Sequence, residues 1–184
     1  MSEKEKMLMG ELYQPWDDEL VMERSRARQI THALNQTKNT EEHYRRQLIE
    51  DLFGTIAGEM SLEPPFYCDY GYNIHVGDGF FANFNCIFLD ICPITVGNRV
   101  LIGPNVQLYT ALHPMDRETR AKGLESGRPI TIGDDVWIGG GAIINPGVTI
   151  GSNVVIGSGA VVTKDLPDNV FAAGSPAKVI RTVE

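Results

Sequence analysis

The chain has 184 residues, enough for one well-filled core and too few for two large domains. A hydrophobic content of 42% and a charged content of 22% suit a water-soluble protein, and no run approaches the ~18 apolar residues of a membrane span. A net charge of −8 argues against nucleic acid as a partner, and an N-terminus without a secretory apolar run leads us to expect a cytoplasmic protein.

The first 60 residues carry half of all charged residues and only three glycines, which marks residues 1–60 as a helical cap. Ser2 with Glu5 reads as a capping box that opens a short helix to about Gly10. A second helix is expected from Asp17 or Asp18 to about Asn35, with Leu20, Val21, Ala27, Ile30 and Leu34 roughly on one face. A third is expected from near Thr40, carrying Leu48, Ile49, Leu52, Phe53 and Ile56 before Gly58. Glu63-Pro64-Pro65 breaks helix and opens a β region over residues 61–184.

From Tyr70 the chain reads in sixes: YGYNIH, VGDGFF, ANFNCI, FLDICP. The phase slips by two residues after Cys92-Pro93, which predicts a bulged corner, and resumes at Val96 with VGNRVL, IGPNVQ and LYTALH. At His113 it stops for HPMDRETRAKGLESGRP. This polar, aperiodic stretch is expected to leave one corner as an excursion loop near residues 113–129. From Ile132 to Pro167 the period is regular. Ile132, Ile138, Ile144, Ile150, Ile156 and Val162 open the blocks, with Gly133, Gly139, Gly151 and Gly157 in second place.

Six residues match neither a helix nor a simple strand, but they do match a parallel β-helix built of hexapeptides. Three hexads would make one triangular turn, stacking Ile132 on Ile150, Ile138 on Ile156 and Ile144 on Val162. Glycine and asparagine are expected to supply left-handed backbone at corners. Asn169 to Glu184 leaves the rhythm and is expected to run back along a face as a C-terminal cap. Cys68, Cys86 and Cys92 lack metal spacing, and the last two read as small buried hydrophobes.

Of the four histidines, His32 and His43 fall in the helical cap without partners at ligand spacing. His113 stands where the last regular hexad meets the excursion loop, at the mouth of any cleft that loop forms. Histidine can take a proton near neutrality, since its unperturbed pKa is ~6.5, although a turn histidine next to Pro114 would look the same in sequence. A catalytic zinc needs three protein ligands, and only His75 and His113 lie in the repeat region, so no metal site is assigned. No nucleophile elbow, phosphate loop or dinucleotide fingerprint follows a predicted strand. A histidine base without a protein nucleophile remains: direct transfer of an activated group to a bound hydroxyl or amine.

The hexad array, the HPMD of the insert, WIGGGAIINPGVTIG and the ending VVTKDLPDNVFAAGSPAKVIR resemble the hexapeptide-repeat acetyltransferases. The likeness extends through EKMLMGELY, RSRARQ, CDYGYNIHVGDGFFANFN and LDICPITVG to nearly the whole chain, and points to the branch that acetylates maltose and galactosides. That resemblance implies a left-handed parallel β-helix, a homotrimer with active sites between subunits, and acetyl-CoA as acyl donor. His113 matches the general base, and the Gly140 N–H the donor to the oxyanion. Asp17, Arg26, Asp69 and Asn83 match acceptor-side positions. Gly140, Ser158, Thr163, Lys164, Lys178 and Arg181 match the coenzyme groove, where the cations suit its phosphates.

Three positions depart from the pattern. Ile91 replaces an acidic sugar contact of galactoside enzymes, which favours the 6-hydroxyl of glucose or maltose as acceptor. Asn85 stands where maltose enzymes have Asp, and Gly141 where Arg is common. Glu125 is a candidate to orient His113. Other acceptors, a galactoside or an antibiotic, stay open, as does a non-catalytic β-helix scaffold.

Overall fold

The six-residue period becomes short parallel strands separated by corners, and the computed structural model describes residues 1–184 in this form. Three walls enclose the core. One stacks Thr55–Ile56, Ile74–Val76, Ile94–Val96, Ile130–Ile132 and Thr149–Ile150. The second runs from Met60–Leu62 through Phe80–Ala82, Leu101–Ile102, Trp137–Ile138 and Val155–Ile156 to Val170–Ala173. The third stacks Phe66–Cys68, Cys86–Leu89, Gln107–Tyr109, Ile143–Ile144 and Val161–Val162. Ile132 pairs with Ile150, Ile138 with Ile156 and Ile144 with Val162, the register the period predicts. These aliphatics are buried and belong to one continuous core of 35 residues. At the C-terminus Lys178–Thr182 folds back antiparallel on Val170–Ala173 and closes the second wall.

The corners correct one expectation. Left-handed backbone falls in the fourth slot of the hexad: Asn85, Arg99, Asn105, Asp135, Asn153 and Asn169 have φ of 54–61°, with Gly79, Gly141, Gly147 and Gly159 in the equivalent place. Glycine in the second slot answers a different demand. A Cβ on Gly133 would lie 2.8 Å from the Gly151 carbonyl carbon, and one on Gly139 would lie 2.6 Å from the Ser158 nitrogen. Coils approach there too closely for any side chain.

One corner carries a ladder of side chains. The N–H of Glu59 donates to Asp78 Oδ1 at 2.8 Å, that of Asp78 to Asn98 at 2.9 Å, and that of Asn98 to Asp134 at 2.7 Å. The N–H of Asp134 donates to Ser152 Oγ at 3.0 Å, and that of Ser152 to Asp168 at 2.7 Å. Corner amides that have no strand partner are satisfied in this way.

The helices plug the N-terminal end. They are α1 (Glu3–Leu8, with the Ser2/Glu5 capping box), α2 (Asp18–Asn35) and α3 (Glu42–Leu52). Ala27, Leu34, Leu48, Ile49, Leu52 and Phe53 join the solenoid core, and Phe53, Phe66 and Phe88 form an edge-to-face chain with centroids 5.7 and 5.2 Å apart. The third helix ends earlier than periodicity predicts. Phe53 turns extended, and Gly54 presses against the Tyr72 carbonyl, so Thr55–Ile56 becomes the first strand instead of a helical turn. Glu63–Pro65 is therefore a corner inside the solenoid and not its start.

The remaining corner, between third and first walls, breaks the period three times. Pairing of Val76 with Val96 makes the early coils two residues longer than the pairing of Ile132 with Ile150 makes the later ones. The extra residues sit in 69–73 and 90–93, so the slip at Cys92-Pro93 is real and YGYNIH contains an earlier one. The excursion leaves from the same corner as an ordered unit. Ala111–Leu112 pairs antiparallel with Ser126–Gly127 around a short helix, α4 (Arg117–Ala121), capped by Asp116. No helix is long and apolar enough to cross a membrane.

The two glycine roles separate in a stability experiment. Gly133→Ala should cost about 1–3 kcal/mol in urea unfolding, the range for forcing extra atoms into a packed interior. Asn153→Gly, at a left-handed position, should stay within about 0.5 kcal/mol of wild type.

Candidate active site

Breaking the period at one corner leaves backbone groups without ladder partners, and buried polar side chains satisfy them. Asn73, Asp90 and Thr110 are three of the four buried polar residues of the chain, and all three lie here. Asp90 Oδ1 accepts the N–H groups of Asp69 at 3.0 Å and Tyr70 at 2.9 Å, and Oδ2 accepts that of Asn73 at 3.3 Å. Asn73 Nδ2 donates to the Asp90 carbonyl at 2.7 Å. Thr110 Oγ1 donates to the Leu89 carbonyl at 2.6 Å and accepts the Cys92 N–H at 3.0 Å. Burial pushes the Asp90 carboxyl up to about 7, against the pull of the amides it accepts.

Above these stitched corners lies a cavity of about 360 Å³. Tyr70 and Ile91 lie beneath it, and α2 contributes Val21, Arg24 and Arg28. The excursion contributes Ala111, His113 and Glu125, and the segment before α2 adds Tyr13, Pro15 and Trp16. Tyr13 and Glu125 exchange backbone hydrogen bonds of 2.9 and 3.1 Å, and the Tyr13 hydroxyl donates to Glu125 Oε2 at 2.7 Å. Helical cap and excursion loop are thereby one wall. A second apolar cluster, Met7, Tyr13, Leu20, Tyr70, Ile91 and Cys92, seals this wall to the corner. Cys86 is buried in the main core and Cys92 in this smaller cluster.

His113 is exposed on the cavity, one residue past the antiparallel pair, and half-buried Asp69 shares that cavity. Burial, then the charge of Glu125, pushes the Asp69 carboxyl up to about 6, against Arg24 and Arg28. Glu125 is engaged by Tyr13 and makes no hydrogen bond to His113. Asp17 and Arg26 do not reach the cavity. The Asp17 carboxylate caps α2 by accepting the Glu19 N–H at 3.1 Å, and Arg26 donates to the Asp51 carbonyl at 2.7 Å. Arg24 and Arg28 line the cavity instead. Helical phase could have found them, since they follow buried Leu20 at intervals of four, whereas Arg26 lies on another face.

The other candidates lie elsewhere on the chain. Asn83 sits at the corner between second and third walls, where its side chain accepts the Phe84 N–H at 2.8 Å and lines a separate cavity of about 510 Å³. Gly140 and exposed Ser158 lie at that same corner, and the Gly140 N–H makes no hydrogen bond within the chain. Ser158 and Arg181 line a third cavity, of about 410 Å³, with Trp137, Gly139 and Phe171. The Arg181 guanidinium lies 5.7 Å from the Phe171 ring centroid. Exposed Thr163 and Lys164 follow Val162 at the corner that bears His113, and Lys178 opens the exposed final strand. Asn85 and Gly141 occupy left-handed corner positions.

A capped solenoid of hexapeptides with a histidine on its excursion loop defines a hexapeptide-repeat transferase. A family model described as "Maltose acetyltransferase hexapeptide capping motif" matches residues 6–58, and "Bacterial transferase hexapeptide (six repeats)" matches residues 129–164. The solved structure of a maltose O-acetyltransferase from Clostridium difficile 630 is 52% identical, with a TM-score of 0.99 over 100% of this chain and 98% of that one. A galactoside acetyltransferase solved in complex with coenzyme A is 43% identical, with a TM-score of 0.96 over 100% and 92%. The galactoside O-acetyltransferase of Escherichia coli K12 is 44% identical over 179 residues, 97% of this chain and 88% of that one. The chain belongs to the hexapeptide-repeat acetyltransferases, in the branch that carries the maltose acetyltransferase cap, and it is an acetyltransferase.

The electrostatics of the cavity are directly measurable. In carboxyl-detected NMR, Asp69 should titrate near 6. Because the Glu125 charge raises that value, Glu125→Gln should move the Asp69 midpoint downward.

Proposed function

We propose that the chain transfers acetyl from acetyl-CoA to the 6-hydroxyl of glucose or maltose by direct attack, with His113 as general base. The imidazole takes the hydroxyl proton while the sugar oxygen bonds to the thioester carbonyl carbon. The tetrahedral oxyanion is held by the Gly140 N–H. Collapse breaks the carbon–sulfur bond, and the coenzyme leaves with its thiol reprotonated by the imidazolium. The observation that carries this reading is the meeting of His113 with Asp69 and two arginines in one cavity of an acetyltransferase fold. Similar proteins named for maltose and galactoside acetylation support the acceptor class, and the donor is supported by the galactoside enzyme solved with coenzyme A and by a hexapeptide-repeat acetyltransferase solved with acetyl-CoA. Asp69 is the proposed sugar contact together with Asn83, and the rim arginine is Arg24. Ile91 offers no hydrogen bond, which favours glucosides over galactosides.

The reading includes a homotrimer. His113, Thr163 and Lys164 lie on one corner of the prism, and Asn83, Gly140 and Ser158 on another. One chain cannot present both sets to one substrate, whereas two neighbouring copies can. Ser158, Thr163, Lys164, Lys178 and Arg181 would then line the coenzyme groove, with the cations toward its phosphates. Three free cysteines are in keeping with a cytoplasmic, reducing setting.

Two measurements test the proposal. Wild type should release thiol from acetyl-CoA in the presence of maltose or glucose, and His113→Ala should lower kcat by about 10²–10⁴-fold. No release with either sugar, but release with another hydroxyl or an amine, would overturn the acceptor assignment. Sedimentation at micromolar concentration should give a trimer, and a monomer would sink the shared site.

A further inference from the structure

Trp16 is a large cavity side chain that the transfer chemistry leaves without a task. It is 72% exposed, yet it lines the cavity that holds His113 and Asp69. Single exposed aromatics are ordinary on protein surfaces, so exposure alone says little. The way Trp16 is held says more. The Arg24 guanidinium lies 5.9 Å from the Trp16 ring centroid and 5.7 Å from that of Tyr70. One of its nitrogens donates to the Tyr70 hydroxyl at 2.7 Å and the other to the Pro15 carbonyl at 2.6 Å. Three residues before Trp16, Tyr13 is fastened to Glu125 of the excursion loop. The indole Nε1 edge is approached by Gly123, where an added Cβ would touch Nε1 at 3.8 Å. The ring is contacted by Arg24 and bordered by Gly123 at its Nε1 edge, and it remains 72% exposed at the cavity.

We propose that Trp16 forms a second sugar subsite, a platform for the ring adjacent to the one that receives acetyl. The preferred acceptor is then a disaccharide or a glycoside, with a free monosaccharide accepted less well. The C–H groups on one face of a pyranose are apolar and slightly positive, and the face of an indole is apolar and negative, so stacking buries both. Pre-ordering of the indole by Arg24 reduces the entropy lost when the sugar binds. The inference rests on the sugar acetyltransferase reading and narrows its acceptor.

The test is kcat/KM for maltose and for glucose, in wild type, Trp16→Ala and Trp16→Phe, read as thiol release with product mass. Wild type should prefer maltose. Trp16→Ala should lose about tenfold on maltose and less than about twofold on glucose, with the KM for acetyl-CoA unchanged. Trp16→Phe, which keeps an aromatic face, should recover most of the loss. Retained glucose turnover shows that the variant is folded. Equal losses on both sugars would mean that Trp16 serves only to hold Arg24 and the cavity wall, and would overturn the subsite. An unchanged maltose value would do the same. If wild type acetylated neither sugar but did acetylate another acceptor, the sugar reading itself would fail, and the subsite with it.

Discussion

Everything in this protein depends on the registered stacking of coils. Each first-slot aliphatic rests on its counterpart in the next coil, and each strand donates its N–H groups to the coil beside it. Such a stack has no room for an extra residue inside a wall, because a one-residue slip would turn every core side chain outward. Added residues must leave at a corner. All of the chain's additions leave at the same one, through residues 69–73, 90–93 and the excursion. Their superposition on successive coils produces a cavity where a regular prism would offer only a flat edge.

Concentrating irregularity has a cost that the sequence meets locally. Bulged corners strand N–H groups away from the ladders, and buried unsatisfied amides are expensive. Asp90 alone accepts three of them, while Thr110 and Asn73 tie the neighbouring bulge. No buried side-chain polar atom of the chain lacks a hydrogen-bond partner. Rigidity then passes outward. The corner fixes the backbone of Asp69 and Tyr70, Tyr70 and Pro15 fix Arg24, and Tyr13 ties the cap to Glu125 of the excursion loop. The proposed base, His113, is thus borne by a loop, but by one stapled to a solenoid and to a helix.

The solenoid itself was legible because its period is strict over six blocks from Ile132 to Pro167, and the core register could be written down from it. Second-slot glycine was misread, since closeness of coils and left-handed backbone both ask for glycine, and only the fourth-slot pattern of Asn85, Asn105, Asn153 and Asn169 separates them. The early coils were harder. Tyr70 to His75 mimics a hexad while containing a bulge, and Ile56 suits the apolar face of a helix as well as a strand. In the site, the excursion and the place of His113 followed from the break in rhythm. Arg24 and Arg28 were passed over for Arg26 because a resemblance supplies residue types, whereas the phase of α2 from Leu20 decides which arginine faces the cavity.

The central claim is that the corner where the period breaks is where the acceptor is acetylated. The most direct measurement is a crystal structure of the protein with coenzyme A and maltose. The account predicts a sugar hydroxyl within hydrogen-bonding distance of the His113 imidazole, inside the cavity between Asp69, α2 and the excursion loop. Well-ordered maltose bound productively beside the coenzyme sulfur at any other corner, with the His113 cavity vacant, would contradict it.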